Sequence, residues 1–250
     1  MVLETTLNLL FPPRCLLCGS ADSLHRNHLC ARCHPLLDEE LSVPACPTCA
    51  ASVGPYEVDS KRRCRRCRGR RPNVLGLVCV GAYHQALGHA LRLYKYQGHE
   101  PWAPLFGAWL TESVKTAEWI QRIDVIVPVP THWRHRLGRP LYPPHAMTRH
   151  LQTALGKPTL RLLRRIRAGP HQIGLAFAER AANVRGAFAI SPGVKLRDAI
   201  ILLVDDVRTT GATLEECART LRRNGAAEVY GAVLLRAGDD RPPLSPRQST

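Results

Sequence analysis

The chain has 250 residues, 45% of them hydrophobic, enough to bury one sizeable core with a smaller unit beside it. A formal charge of +15 favours polyanionic partners, whether phosphates, nucleic acid or an anionic surface, without choosing among them. No apolar run approaches the ~20 residues of a membrane-spanning helix, and a cytoplasmic protein is the expectation.

From the N-terminus, Met1 to Pro13 carries an apolar patch of Leu7, Leu9, Leu10 and Phe11. Glu4 precedes the patch, there is no basic segment ahead of it, and no small-residue cleavage site follows. A short packing helix is expected, not a signal peptide. Four C-x-x-C pairs come next: Cys15/Cys18, Cys30/Cys33, Cys46/Cys49 and Cys64/Cys67. In a reducing compartment such pairs point to metal rather than disulfides. Two knuckles together supply four thiolates at tetrahedral geometry, which suits structural Zn²⁺ ahead of an iron–sulfur cluster. Pairing in sequence order yields two four-cysteine sites, a double zinc ribbon; interleaved pairing stays open on spacing alone. A closed four-thiolate site leaves no open position for catalysis. His25, His28 and His34 lie nearby and are read as surface residues. So small a segment has little apolar core, and metal binding is expected to supply its folding free energy.

The run Lys61 to Arg71 holds eight basic residues in eleven. Two occupied thiolate sites would take the formal charge to about +11, leaving the run locally very positive. It reads either as a contact for a nucleic-acid backbone, with single-stranded DNA the candidate partner, or as a solvated face offsetting the thiolates. No aromatic residue is interleaved for base stacking.

Near residue 72 the composition changes. Apolar strands then alternate with amphipathic helices, the pattern of an α/β domain with a largely parallel sheet. Strands are expected at 74–83, 124–130, 160–163, 199–204 and 229–235. Helices are expected at Leu87 to Tyr94, ending by Gly98, and at 102–119, 146–155, 176–183 and 214–221. Residues 1–72, 73–238 and 239–250 form the expected ribbon, main domain and disordered tail. Cys79 and Cys217 are read as inert core thiols.

The most informative segment runs from Ile200 to Thr213. Five apolar residues lead into Asp205 and Asp206, then Thr209, Thr210, Gly211, Ala212 and Thr213 open a helix. Free N–H groups at a helix N-terminus attract anions. Two carboxylates beside such a cradle suit a ligand with vicinal hydroxyls and a phosphate, as in a ribose 5-phosphate. Both side chains reach one ligand only if the strand ends at about Val204, because successive strand residues point to opposite faces. A second strand ends in Val127-Pro128-Val129-Pro130, followed by Thr131 and Arg134.

The first of these segments resembles the signature of type I phosphoribosyltransferases, which bind phosphoribosyl pyrophosphate (PRPP). The resemblance implies that Asp205 and Asp206 accept hydrogen bonds from the ribose hydroxyls, and that residues 209–213 hold the 5-phosphate. The Pro-Val-Pro stretch resembles the pyrophosphate loop of those enzymes, with Thr131, Arg134 and Arg139 as candidates. Mg²⁺ would accompany the diphosphate. The order of C-x-x-C pairs, Pro128-Val129-Pro130, the segment His171 to Leu175, Glu179-Arg180, Asn183 to Phe188 and the PRPP motif is similar to the ComF (competence protein F) family. That family is associated with DNA uptake, which implies DNA-uptake proteins as partners. One stretch departs from the family pattern. Arg139-Pro140-Leu141-Tyr142-Pro143 stands where the family usually has an Arg-Gly-Phe-Asn-Gln-like sequence. Arg139 is kept, while acceptor choice and catalysis itself stay open. The function implied is pentosyl transfer to an unknown acceptor. The alternative is a non-catalytic nucleic-acid-binding or assembly factor that retains the PRPP fold. The sequence assigns no oligomeric state and no general base.

Overall fold

The computed structural model describes residues 12–21, 24, 28–41, 44–54, 57–131, 142–167 and 184–238. The expected helices at the N-terminus and at 176–183, and the tail from 239, lie outside them. Helix α1 (Cys33–Leu41) belongs to the cysteine-rich segment. Strand β1 (Leu77–Ala82), α2 (Gln85–Gln97), α3 (Trp102–Lys115), β2 (Val125–Pro128), α4 (Pro143–Leu155), β3 (Leu163–Arg165), β4 (Phe188–Ile190), β5 (Ile200–Arg208), α5 (Ala212–Arg223) and β6 (Glu228–Arg236) follow. Four strands form a wholly parallel sheet in the order β1-β6-β5-β2.

The apolar run of β5 reads as hydrophobic on both faces because helices cover both. Leu202 and Val204 join a core with Leu87, Ala90, Leu91 and Tyr94 of α2 and with Trp102, Phe106 and Leu110 of α3. Ile201 and Leu203 join the opposite core with Leu214, Cys217, Ala218 and Leu221, the stripe read from the helical spacing of α5. Gly98 and Gly156 close α2 and α4 in the left-handed conformation (φ 69° and 64°), where glycine carries no Cβ penalty.

Three expectations need correction. Helix α3 stops at Lys115, and a turn leads into a 3₁₀ segment at Ile120–Arg122. Residues 160–163 are not a free-standing strand. Thr159 bridges to Ile126, and the Leu160 amide donates to the Ile126 carbonyl (2.9 Å), covering the outer edge of β2. Strand β3 starts at Leu163 and pairs antiparallel with β4, an element the short apolar stretch at 188–190 did not announce. Finally, β5 does not end at Val204. Asp205 pairs with Val233, Val207 with Leu235 and Arg208 with Arg236, so the strand continues for four residues.

The cysteine-rich segment is docked on this domain and closes the other sheet edge. The Leu77 amide of β1 donates to the Pro47 carbonyl at 2.9 Å, satisfying an edge strand that would otherwise invite foreign pairing. Arg236, 2% exposed at the end of β6, donates through Nε to Ser52 Oγ at 2.8 Å. Leu29 and Leu37 enter the α2–α3 core. From the last turn of α1, the Glu40 carboxylate accepts from the amides of Ala86 (2.9 Å) and Leu87 (2.7 Å). Those amides are unpaired donors of the first turn of α2, and a negative charge there is favoured by the helix dipole. The cap thus comes from Glu40, 46 residues before Ala86, rather than from His84, whose side chain makes no cap bond.

Glu40→Ala should therefore lower unfolding free energy by about 1–2 kcal/mol, the range for losing a charged cap. Urea titration reads the loss, and an unchanged midpoint would mean that water replaces the carboxylate at no cost.

Candidate functional site

The eight knuckle cysteines fall into two groups, Cys15/Cys18/Cys30/Cys33 and Cys46/Cys49/Cys64/Cys67, with all Sγ atoms of a group within 4.8 Å of one another. The pairing is sequential, not interleaved. Sulfur separations are 3.8 Å for Cys18–Cys30, 3.6 Å for Cys49–Cys64 and 3.8 Å for Cys64–Cys67. A tetrahedron with Zn–S bonds of about 2.3 Å has edges of about 3.8 Å, so the donors fit zinc without rearrangement. The turns are built alike: Gly19 and Ala50, each following a second cysteine, donate their amides to the carbonyls of Cys15 and Cys46. The hydrogen bond between Cys46 and Cys49 favours the thiolate form of Cys46 and, with burial, the thiol form of Cys49. Among the described residues no histidine joins either group; His34 pairs instead with Asp38 at 2.8 Å.

The second site lies at the carboxyl ends of β2 and β5. Strand β2 stops at Pro128, level with Val204. The Val129 amide makes one more bond, to the Val204 carbonyl at 2.9 Å, and the chain then leaves through Pro130 and half-buried Thr131. Beyond Val204, therefore, β5 is paired on its β6 side, and among the described residues no strand pairs with its other edge. That notch is where ligands bind in open α/β sheets.

Asp205 and Asp206 stand in the notch on opposite faces of β5. Asp206 Oδ2 pairs with Lys95 Nζ of α2 at 2.7 Å, both side chains being 14% exposed. Asp205 lies on the α5 side, and its Oδ1 accepts from the Asp206 amide at 2.9 Å. Burial, and then the charge of Asp206, pushes the Asp205 carboxyl up to about 8; Lys95 and Arg165 act against that rise. Because its folded value lies above the ordinary 3.8, the stability tied to this proton is full below about 4 and lost as pH climbs through 8.

Next to the notch, Thr209, Thr210, Gly211, Ala212 and Thr213 are all partly exposed. Gly211 has φ 81° and precedes α5, and the Ala212 amide donates to Thr210 Oγ1 at 3.1 Å. The first-turn amides of α5 and the hydroxyls of Thr209, Thr210 and Thr213 thus lie together in one partly exposed turn, a residue set that suits a phosphate. Arg134 and Arg139 of the expected pyrophosphate loop lie outside the described residues, as does Arg180. Tyr142, just after that segment, donates its hydroxyl to the Val129 carbonyl.

Two cations escaped the reading of the sequence. Lys95 follows Leu87 and Leu91 at helical spacing, and a lysine on a buried stripe calls for a partner. Arg165 sits on β3 with its guanidinium 5.7 Å from the Phe188 ring centre, and no sequence pattern marks it. Cys217 is fully buried, and burial raises its thiol well above the ordinary value, as expected of an inert core group.

The purified chain should contain two zinc ions, one per thiol group, by elemental analysis under reducing conditions. Strong chelation should unfold the ribbon and expose Leu29 and Leu37. A metal-free protein with a folded ribbon would contradict this.

Comparison with known proteins agrees with the geometry. The double zinc ribbon domain model matches residues 6–68, and the phosphoribosyl transferase domain model matches residues 168–246. "DNA utilization protein YhgH" of Escherichia coli K12 is 30% identical over 234 residues, covering 90% of this chain and 97% of that protein. "Competence protein F" of Haemophilus influenzae is 26% identical over 230 residues, with the same coverage. Among solved structures, the glutamine PRPP amidotransferase of B. subtilis aligns with 52% of this chain and 25% of its own, at 22% identity and a TM-score of 0.35. The near-complete overlap with the YhgH and competence proteins, through ribbon and sheet alike, makes this chain a member of the ComF family: a double zinc ribbon joined to a phosphoribosyltransferase-type α/β domain.

Proposed function

We propose that this protein binds PRPP in the notch between β2 and β5 and transfers its phosphoribosyl group, displacing pyrophosphate, to an acceptor not yet identified. Residues 1–72 serve as its zinc-binding module and residues 73–238 as the transferase-like domain. The observation that carries the reading is the edge of β5 beyond Val204, which among the described residues has no strand partner on its β2 side. Because β5 runs on to Arg208, the two carboxylates do not share a face as a strand ending at Val204 would allow; a ribose lying along the strand edge instead takes one from either side, with the α5 N-terminus beyond. Asp205 and Asp206 accept from its hydroxyls, and the amides and hydroxyls of residues 209–213 hold the 5-phosphate. Thr131 and the loop arginines Arg134 and Arg139 are the groups nearest in sequence to a diphosphate. Mg²⁺, bound mainly through ligand oxygens and water, would neutralise that leaving group. Positive charge developing at the anomeric carbon asks for no covalent partner from the chain, in keeping with the lack of an evident general base.

The charge on Asp205 makes the reading sensitive to pH. Ribose hydroxyls donate to the carboxylate form, so binding favours loss of the proton. PRPP affinity should rise as pH increases through about 8, with proton release on binding. Isothermal titration with Mg²⁺ in buffers of different ionisation heat measures both. Asp206→Asn should cost about 1.5–3 kcal/mol, roughly ten- to hundredfold, near neutral pH. Asp205→Asn should cost less near pH 7, where the native group is largely protonated, and more near pH 9. If neither wild type nor variants bind, or if all bind alike, the phosphoribosyl reading falls.

A second reading concerns the arginine-rich knuckle and the relatives named for DNA utilization and competence. Arg65, Arg66, Arg68, Arg70 and Arg71 are exposed there, and Arg62 extends the surface while paired with Glu118. This face suits the backbone of single-stranded DNA, in the setting of DNA uptake and its proteins. Log affinity should fall steeply with log salt, and Arg62, Arg63, Arg65 and Arg66→Ala together should flatten the slope. An unaltered slope returns the run to the role of a solvated face.

A further inference from the structure

Lys95 is placed where a purely structural lysine gains little. Its ammonium reaches Asp206 Oδ2 at 2.7 Å, with both side chains only 14% exposed. A pair this buried gives up hydration that an apolar pair would not, so it is weak support for the fold by itself. Its geometry instead serves the notch. One carboxylate oxygen is engaged, and Asp206 keeps acceptor capacity on the other. The helix that carries Lys95 is held at both ends. Its first turn is capped by Glu40 of the ribbon, and Gly98 returns its amide to the Leu93 carbonyl at the other end. Leu87, Leu91 and Tyr94 bury its stripe. Lys95 lies in the last turn, where the helix dipole favours a cation.

We propose that Lys95 is the positioning residue of the ribose subsite, holding the Asp206 carboxylate at the open edge of β5 and balancing one of two adjacent acidic charges against an incoming polyanion. The proposal rests on the phosphoribosyl reading and adds to it a residue outside the strand–loop–helix motif. Among the described residues the charges that bear on the neighbouring Asp205 are Asp206 of its own strand, Lys95 of α2 and Arg165 of β3, and Asp205 in turn bears on the Cys217 thiol of α5. Removing Lys95 takes away the ion-pair partner of Asp206 and one of the two cations that act on Asp205. Asp205 then ionises at higher pH, and Asp206 loses the contact that aims it.

The test is titration of Mg²⁺–PRPP into the full zinc-loaded chain between pH 6.5 and 9.5. Lys95→Met, Lys95→Arg, Asp206→Asn and the Lys95→Met/Asp206→Asn double variant are compared with wild type. Lys95→Met should weaken binding about tenfold or more and move the pH midpoint of binding upward, while Lys95→Arg restores most of the affinity. The double variant should bind no worse than Asp206→Asn alone, since residues acting as one unit are not additive. A Lys95→Met protein with wild-type affinity and an unmoved midpoint overturns the proposal while the phosphoribosyl reading stands. A wild type that binds no PRPP overturns both. If Lys95→Met does not fold, the double variant, which leaves neither charge unpaired, decides against Asp206→Asn: equal affinity supports the proposal, and a further tenfold loss overturns it.

Discussion

The pairing of β5 with β6 beyond Val204, with no strand partner on the β2 side among the described residues, governs the site. Hydrogen bonds to one neighbour keep Asp205 to Arg208 extended, and an extended chain must send adjacent side chains to opposite faces. The missing neighbour is β2, which ends at Pro128 as the chain turns away. One constraint therefore produces both the alternation of the carboxylates and the gap through which a ligand approaches them. It also divides their fates. Asp206 meets a lysine from the α2 face, and Asp205 turns towards α5, where burial and its neighbour's charge keep it protonated to unusually high pH.

The cysteine-rich segment is part of the same arrangement. It meets the β1 edge through the Leu77–Pro47 hydrogen bond, as residues 158–160 meet the β2 edge. Glu40 completes the first turn of α2, and α2 delivers Lys95 to the notch. The thiol groups that fit zinc hold α1 at its start, Cys33, while Glu40 works near its end. The ribbon and the helix that carries Lys95 thus share a direct contact through one carboxylate.

Charge is distributed to match. The exposed arginines lie around the fourth C-x-x-C pair, whereas among the described residues the charges that act on Asp205 in the notch are Asp206, Lys95 and Arg165.

Much of this was legible in the chain itself. Cysteine spacing announced the thiol groups because a C-x-x-C turn brings its two sulfurs together locally. The apolar run of β5 and the stripe of α5 announced strand, loop and helix because those periods are properties of short segments. The Asp-Asp and Thr-Thr-Gly-Ala-Thr residues drew attention for the same reason. What the chain could not disclose depends on contacts between distant segments. The sequential pairing of the knuckles, the continuation of β5 to Arg208, the strand at 188–190 and the cap from Glu40 each need a partner tens of residues away. Lys95 was half visible, as a charge on a buried stripe, but its partner lies 111 residues further on. Local spacing determined which chemical groups the protein carries and which elements bear them. Tertiary structure alone decided which groups face one another, because a strand's length and a carboxylate's protonation are set by neighbours that only the folded chain supplies.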